Sequence, residues 1–206
     1  MGATRKSKSD KKGKAYSARL LNWIGIPTNR VANYILEWVD VLVVAGLLAW
    51  LIMTFVTVRM TVPTGSMKPT IQPGDSFFVD KISFNFRNPE PGDVIVFWHE
   101  ESNGGKTRYV KRLIAKGGET VQIQNGDVYV NGEKLDGPEF DRRYLPEGPY
   151  GRGKVTVPEG KYYVLGDNSQ DSFDSRYWGF ADSSSFIGEP YLRVWPLGRF
   201  GLMNTN

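Results

Sequence analysis

Hydrophobic and polar positions divide the chain into two regions with different patterns. The run VLVVAGLLAWLIMTFVTV, from Val41 to Val58, contains no charge and is bounded by Asp40 and Arg59. As an α-helix it would extend about 27 Å, just enough to cross the hydrocarbon core of a bilayer. We therefore predict a transmembrane helix over residues 41–58.

The helix is expected to begin before this run. Val31, Ile35, Trp38 and Leu42 recur at helical spacing, which places its start near Asn29 and predicts a membrane helix region over residues 29–59. A buried helix of a soluble protein is the alternative interpretation of the apolar run. A cleaved signal peptide is disfavoured, because the run starts deep in the chain and no small-residue cleavage pattern follows it.

After Arg59 the pattern changes to short apolar runs separated by turn residues such as Pro-Gly-Asp and Asn-Gly. Seven strands are predicted, at residues 76–80, 94–98, 108–115, 120–124, 128–130, 155–157 and 162–165. The fold class is therefore mainly β: a single N-terminal transmembrane helix, then an extracytoplasmic all-β domain over residues 60–206 with a polar insertion at about residues 136–153.

Positive charge is concentrated at the N-terminus and sets the expected orientation. The net charge is +4, and one acidic residue in the first twenty, Asp10, faces a cluster of basic residues. The basic residues are Arg5, Lys6, Lys8, Lys11, Lys12, Lys14 and Arg19. The positive-inside rule then predicts that residues 1–28 form a cytoplasmic tail, disordered in its first twenty residues and able to touch anionic lipid.

Composition limits the available chemistry. The chain of 206 residues is 40% apolar, enough to fill a core, and beyond the basic tail it is nearly neutral, which argues against a nucleic-acid partner. It has no cysteine, and its one histidine is His99. These counts exclude a thiolate nucleophile and a histidine-rich metal site, and we predict neither cofactor nor metal.

A lysine in the predicted strand 108–115 is the first candidate for chemistry. Alternation along a strand places Lys111 on the same face as Tyr109 and Leu113, where partial burial would lower the pKa of its amine. The alternative is a lysine whose stem follows the apolar surface while its ammonium reaches water.

Ser66, in the stretch Pro-Thr-Gly-Ser-Met-Lys-Pro-Thr (63–70), is the second candidate. A serine in such a stretch is usually a turn residue, and neither G-x-S-x-G nor S-x-x-K is present at this position. What stays open is a serine hydrolase whose base is either a neutral lysine brought in by the fold or His99.

The third candidate is the stretch GDNSQDSFDSRYWG, residues 166–179. Its aspartates, at positions 167, 171 and 174, do not have the spacing of a calcium-binding loop. A structural loop in which Asp174 and Arg176 pair with each other is the stronger interpretation.

These stretches, in this order after a membrane helix, resemble the bacterial type I signal peptidases, which are Ser-Lys dyad serine proteases. The resemblance covers roughly residues 40–200. It implies that Ser66 is the nucleophile and Lys111 the general base, and that the Thr64 hydroxyl and the Ser66 backbone N–H form the oxyanion hole. It further implies that Ser172 orients the lysine amine and that Asp174 and Arg176 form a supporting ion pair.

The resemblance also implies substrate contacts and one departure. Val62, Ile71, Tyr109 and Val110 match positions that form shallow pockets for small side chains. The family's loop commonly reads G-D-N-R, whereas this chain has Ser169 in place of the arginine. The implied activity is removal of signal peptides from secreted preproteins through an acyl-enzyme, with cleavage after small residues.

The expected setting is the bacterial cytoplasmic membrane, crossed once. An extended link from Val58 to Ser66 reaches about 28 Å at most, so the nucleophile would work near the bilayer, where a preprotein presents its cleavage site. The expected partners are secretory preproteins, the lipid bilayer and a nearby secretion translocon. Two alternatives stay open: a self-cleaving Ser-Lys protease of the repressor type, and a tethered β-domain that binds a partner without catalysis.

Overall fold

The computed structural model describes residues 16–25 and 29–203, and the chain divides into two compact units at Met53 and Thr54. The described residues of the first unit form two helices, α1 (Tyr16–Trp23) and α2 (Arg30–Leu51), the latter followed by a π-helical turn over Ile52–Val56. Asn29 caps α2, because its side chain accepts a hydrogen bond from the backbone N–H of Ala32 at 2.8 Å. The predicted helix start near Asn29 is confirmed.

Residues 30–56 form a helix long and apolar enough to cross a membrane, with a mean hydropathy of 2.4 in its most apolar window. Helical structure ends at Val56, two residues before the end of the apolar run, because Thr57 and Val58 pair with the next strand. The predicted disordered tail is wrong for residues 16–20, which lie in α1: Ala18 is fully buried and the Ser17 N–H donates to Asp40 Oδ2 at 3.2 Å. The remainder of the predicted basic tail, residues 1–15 and 26–28, lies outside the described residues.

The second unit, as far as it is described (residues 54–203), contains twelve strands and one short helix. The strands are β1 (Thr57–Thr61), β2 (Ser76–Asp80), β3 (Val94–Glu100), β4 (Lys106–Lys116), β5 (Thr120–Gln124), β6 (Asp127–Val130), β7 (Glu133–Lys134), β8 (Val155–Thr156), β9 (Lys161–Leu165), β10 (Ala181–Asp182), β11 (Phe186–Trp195) and β12 (Gly201–Leu202). Helix α3 is Ser175–Trp178, and single 3-10 turns lie at Ser83–Asn85, Ser169–Asp171, Ser183–Ser185 and Leu197–Arg199. The mainly β prediction is confirmed, and each of the seven predicted strands is present.

The strands form two antiparallel sheets. The large sheet has the order β1-β2-β11-β3-β4-β9-β10, with β12 added beside β11, and the small sheet has the order β7-β6-β5-β8. Asn125-Gly126 closes the β5–β6 hairpin and Asn131-Gly132 follows β6; all four residues have positive φ, which asparagine and glycine tolerate.

Strand β11 was not predicted, although it is the long strand that joins β2 to β3. Its alternation is interrupted by Gly188 and Pro190, and the pairing register shifts at both places. Gly188 has φ +154, and a Cβ there would lie 1.7 Å from the Asp80 carbonyl oxygen, so the close approach of β11 to the end of β2 requires glycine.

The apolar core of the large sheet supports the segment that carries Ser66. Met67 and Ile71 are fully buried and pack with Phe77, Val79 and Val96 of the sheet. A second apolar cluster lies between β4, β9 and the small sheet, and it includes Tyr144 from the predicted polar insertion. The insertion therefore packs into the domain.

Candidate active site

Ser66 lies in a tight turn between β1 and β2. The ends of the connection are joined where the Val62 N–H donates to the Asp75 carbonyl at 2.9 Å and the Gly74 N–H donates to the Val62 carbonyl at 2.8 Å. Within the turn, the Lys68 N–H donates to the Gly65 carbonyl at 3.1 Å. Ser66 itself is 6% exposed. The side chain is thus held on a short, anchored segment at the border of the core.

Lys111 reaches Ser66 from the middle of β4. Its Nζ lies 2.8 Å from Ser66 Oγ, a hydrogen-bond distance, and the lysine is 4% exposed. The amine also lies 5.5 Å from the centroid of the Tyr109 ring. The alternation that predicts Tyr109 and Lys111 on one face of the strand is therefore observed, and the lysine does not extend to water.

Burial lowers the pKa of the Lys111 amine from 10.5 to about 8. Loss of hydration disfavours the ammonium, and the positive charge of Arg176 acts in the same direction. The carboxylates of Asp174, Asp167 and Asp171 oppose this effect. At slightly alkaline pH a large fraction of Lys111 is neutral, so the amine can accept a proton from the hydroxyl that it contacts.

Thr64 lies beside the same hydroxyl. Its Oγ1 is 3.4 Å from Ser66 Oγ, and the residue is exposed at the cleft. The backbone N–H of Ser66 donates no hydrogen bond within the described residues. Two donors are thus available next to Ser66 Oγ.

The loop after β9 is organised by Arg176. Its guanidinium pairs with Asp174 through two hydrogen bonds, of 2.8 and 2.9 Å, and both residues are fully buried. The same guanidinium donates to Ser169 Oγ at 2.6 Å and to the carbonyl oxygens of Leu145 and Ser172. The predicted Asp174–Arg176 pairing is observed, and it fixes the loop that lines one side of the cleft.

Ser172 is brought to the cleft, but it makes no hydrogen bond to Lys111. Its Oγ is buried and has no hydrogen-bond partner among the described residues. The hydroxyl lies against the backbone of Gly166, where a Cβ would be 2.1 Å from Ser172 Oγ. A buried hydroxyl without a partner is free to pair with a group that moves or changes protonation.

A second buried ion pair lies beside the site. Arg112 donates to both oxygens of Asp167, at 2.8 and 2.9 Å, and both side chains are almost completely buried. Arg142 of the insertion adds a contact of 3.2 Å to Asp167 and a hydrogen bond of 2.9 Å to Thr70 Oγ1. Asp167 and Asp174 are therefore each neutralised by arginine, which agrees with the mismatch to a calcium loop.

The cleft next to Ser66 has a volume of about 480 Å³. Three of the four predicted substrate contacts, Val62, Tyr109 and Val110, line it together with Ser66 and Lys111. Ile71 does not: it is fully buried in the core behind the turn, because its side chain packs against Met67 and the sheet. Further lining residues are Met60, Pro63, Thr64, Thr107, Arg108, Gln170, Asp171, Ser172, Phe173 and Tyr177.

Two strands border the cleft with unpaired edges. β1 pairs with β2 alone, and β9 covers β4 only from Arg112 onward, so residues 106–111 have no partner on that side among the described strands. Arg108 spans the gap, with its Nη1 3.5 Å from the Arg59 carbonyl. An extended peptide placed in the gap can pair with backbone on both sides.

His99 is positioned differently from Lys111. Its ring stacks on Tyr109, with ring centroids 4.6 Å apart, and its second aromatic neighbour, Trp178, lies at the same distance. It lines the cavity beyond this aromatic wall and not the cleft that contains Ser66. Ser66 Oγ therefore has a lysine, not this histidine, as its hydrogen-bonded base candidate.

Comparison with known proteins decides the family. The model of the family described as "Signal peptidase, peptidase S26" matches residues 35–195. The chain belongs to this signal peptidase family. It is thus a hydrolase of the peptidase S26 type.

Several proteins to which the chain is similar are named as signal peptidases. The chain is 39% identical over 178 residues to "Probable signal peptidase I-2" of Synechocystis sp., covering 84% of this chain and 79% of that protein. It is 33% identical to "Signal peptidase IB" of Staphylococcus aureus (strain COL), over 81% of this chain and 92% of that one. A solved signal peptidase I from Enterococcus faecalis V583 has 33% identity and a TM-score of 0.41, covering 50% of this chain and 97% of that one.

Several residues that shape this signal peptidase site were not predicted from the sequence. Arg112, Arg142 and Asn168 each contact a loop of the site across long sequence separations. The sequence held one local signal for Arg112: it is a second basic residue that directly follows Lys111, and it therefore lies on the opposite face of the same predicted strand. Ser169 also has a defined role: its Oγ accepts from the Leu145 N–H at 2.8 Å and from Arg176, which ties the insertion to the loop.

Proposed function

We propose that this signal peptidase is a membrane-tethered serine endopeptidase that removes N-terminal signal peptides from secretory preproteins by means of a Ser66–Lys111 dyad. The observation that carries the proposal is the buried contact of 2.8 Å between Lys111 Nζ and Ser66 Oγ. Family membership supplies the substrate class.

In the first step, neutral Lys111 accepts the Ser66 proton as Oγ attacks the scissile carbonyl carbon. The resulting tetrahedral oxyanion is held by the Thr64 hydroxyl and the Ser66 N–H. When the C–N bond breaks, the Lys111 ammonium donates the proton taken from Ser66 to the leaving amine, and the mature protein departs. The signal peptide is left as an ester on Ser66.

In the second step, Lys111 takes a proton from a water molecule, whose oxygen attacks the ester carbonyl. Collapse of this second oxyanion breaks the ester bond, returns the proton from Lys111 to Ser66 Oγ and releases the signal peptide as a carboxylic acid, which then loses its proton to solvent. The Ser172 hydroxyl, which has no partner within the described residues, pairs with the Lys111 amine when the amine turns toward the leaving group. The Asp174–Arg176 pair supports that hydroxyl through the backbone of the loop.

The substrate binds as an extended strand in the gap between β1 and β4. Main-chain hydrogen bonds to the two edges give affinity that depends little on sequence, as preproteins of varied sequence require. Val62, Val110 and Tyr109 line the cleft beside Ser66, and these side chains contact the small residues before the scissile bond. Cleavage after small residues is the specificity that the family resemblance implies for these contacts.

The proposed setting is the bacterial cytoplasmic membrane, crossed once by the helix of residues 30–56. The basic N-terminal segment stays in the cytoplasm, the domain that follows the helix lies outside, and the translocon is nearby. Proteinase protection of the full-length protein in inverted and right-side-out vesicles tests this: the β domain should be digested only from the outer face. Digestion from the cytoplasmic face would contradict the orientation.

Cleavage of a preprotein by the purified full-length enzyme in detergent tests the activity. The wild type should release a signal peptide at a single site, whereas Ser66→Ala and Lys111→Ala should release none above background. Asn88→Asp, an exposed change outside the cleft, is the control and should cleave at the wild-type rate. Retained cleavage by Ser66→Ala would overturn the proposed nucleophile.

A further inference from the structure

Asn168 makes two hydrogen bonds to the backbone on both sides of the Ser66 N–H. Its side-chain Nδ2 donates to the Gly65 carbonyl at 3.1 Å, and its backbone N–H donates to the Ser66 carbonyl at 3.0 Å. The two peptide carbonyls that enclose Ser66 are therefore both held by one residue, located 102 positions further along the chain (168 − 66).

Gly166 allows the loop that carries Asn168 to approach the Ser66 turn closely. A Cβ at Gly166 would lie 2.5 Å from the Ser66 carbonyl oxygen, so the loop backbone approaches the Ser66 turn as closely as a glycine allows. The loop in turn is held by the buried Asp174 carboxylate, which accepts a hydrogen bond from the Gly166 N–H at 3.0 Å. The position of Asn168 is thus set by a rigid element.

The hydrogen bond from Asn168 to the Gly65 carbonyl also determines the direction of the Ser66 N–H, because both groups belong to the same planar peptide. The bond is trans, and in a trans peptide the C=O and the following N–H point in opposite directions. Because the Gly65 carbonyl is held on the Asn168 side, the Ser66 N–H points away from Asn168. That N–H has no acceptor within the described residues.

We propose that Asn168 is a positioning residue for the oxyanion hole: its side-chain amide, together with the turn hydrogen bond from the Lys68 N–H, fixes the plane of the Gly65–Ser66 peptide so that the Ser66 N–H faces the cleft. Thr64, which lines the cleft with its Oγ1 3.4 Å from Ser66 Oγ, provides the second donor. The inference rests on the proposed function, since it assigns Asn168 to the reaction of Ser66. Asn168 contacts the backbone and not the substrate.

Steady-state kinetics on Asn168→Ala test the proposal, with a quenched peptide that carries a small-residue cleavage site. Loss of one oxyanion donor costs a serine protease about 100- to 1000-fold in kcat, and a donor that is present but no longer held should cost about 10- to 100-fold. We expect the loss in kcat at unchanged KM. The midpoint of the pH–rate profile should stay at its wild-type value, because the surroundings of Lys111 are unchanged.

A second readout separates orientation from general loosening. A peptide aldehyde, ¹³C-labelled at its carbonyl, forms a hemiacetal when Ser66 Oγ bonds to the aldehyde carbon and the Oγ proton passes to Lys111. The ¹³C shift reports the pH at which the hemiacetal oxygen ionises. In Asn168→Ala that pH should rise by about one unit for each tenfold loss of kcat. Asn88→Asp should match the wild type in both measurements.

Three outcomes would overturn the inference: wild-type kcat in Asn168→Ala, a loss confined to KM, or an unchanged hemiacetal titration. Ser66→Ala, measured in parallel, keeps the two hypotheses apart. If Ser66→Ala is inactive while Asn168→Ala has full activity, the role of Asn168 is refuted and the proposed function stands. If Ser66→Ala still cleaves, the proposed function itself fails. Thermal unfolding of Asn168→Ala within about 2 °C of the wild type shows that the comparison concerns a folded enzyme.

Discussion

Lys111 Nζ and Ser66 Oγ are 2.8 Å apart, and both residues are almost completely buried. As an ammonium, Lys111 can only donate to the serine oxygen, whereas catalysis by the dyad requires the serine to donate to a neutral amine. The direction of this one hydrogen bond therefore depends on the protonation state of the lysine. Its burial lowers the pKa to about 8.

The rate of peptide cleavage should therefore rise with pH. We expect log(kcat/KM) to increase with a slope of about one below pH 8 and to level off above it, because only the fraction with a neutral Lys111 reacts. Initial rates of quenched-peptide hydrolysis between pH 6 and 10 measure this. A flat profile over that range would refute Lys111 as the base. Lys111→Arg, which keeps the charge and cannot deprotonate, should be inactive at every pH.

The buried lysine should also reduce stability at neutral pH. The pKa of Lys111 is about 8 in the folded protein, compared with 10.5 for the solvated lysine of the unfolded chain. Below pH 8 the lysine is therefore charged in both the folded and the unfolded state, and the folded state bears the full cost of burying the charge. That cost corresponds to about 3 kcal/mol. Between pH 8 and 10.5 the unfolded chain binds more protons, and wild-type stability rises with pH.

Lys111→Met should consequently melt at a higher temperature than the wild type at pH 7, and this advantage should shrink as the pH approaches 10.5. Differential scanning calorimetry of the full-length protein in detergent measures both temperatures. Lys106→Met is the matched control on the same strand: its side chain is 61% exposed, so its melting temperature should differ little from the wild type at any pH. Equal behaviour of the two variants would contradict the burial argument.

Gly166→Ala should abolish most activity. The added Cβ would lie 2.1 Å from Ser172 Oγ and 2.5 Å from the Ser66 carbonyl oxygen, and the second contact is with backbone that cannot rotate away. The loop must move away from the turn, and a displacement of about 1 Å at a reaction centre costs about 100-fold in kcat. Gly153→Ala, where the new methyl group meets nothing within 4 Å, should retain wild-type kcat. Full activity of Gly166→Ala would show that the loop is not held against Ser66.

Arg142→Ala should lower stability by detaching the insertion from the site. It removes the contacts of Arg142 with Asp167 and Thr70, which join the insertion to both loops that line the cleft. Loss of an ion-pair contact with a buried carboxylate and of a hydrogen bond from the guanidinium to Thr70 Oγ1 costs about 2 kcal/mol, or about 4–8 °C in Tm for a chain of this size. The neighbouring Arg143 is exposed, so Arg143→Ala should leave Tm within about 2 °C of the wild type. Equal shifts in the two variants would refute the role of the contact.

Local sequence was a good guide to individual elements. Alternation and Asn-Gly turns fixed the hairpin of β5 and β6, because the period of side-chain direction and the tolerance for positive φ act within a few residues. The same applies to the start of α2 at Asn29, where the cap is a contact between residues three apart. β11 was missed because Gly188 and Pro190 hide its alternation, and only its pairing with β2 and β3 makes it a strand.

For the site, the sequence by itself determined which groups were available for chemistry. These are Ser66, the strand lysine Lys111 and a loop with aspartates, in a chain without cysteine and with a single histidine. Only the tertiary structure decided that Lys111 is buried against Ser66, that Ile71 belongs to the core, and that Asn168 holds the peptide beside the serine. The physical reason is that burial and hydrogen-bond partners are set by strands and loops that meet across 45 to 103 residues, whereas sequence patterns report on neighbours within a few positions.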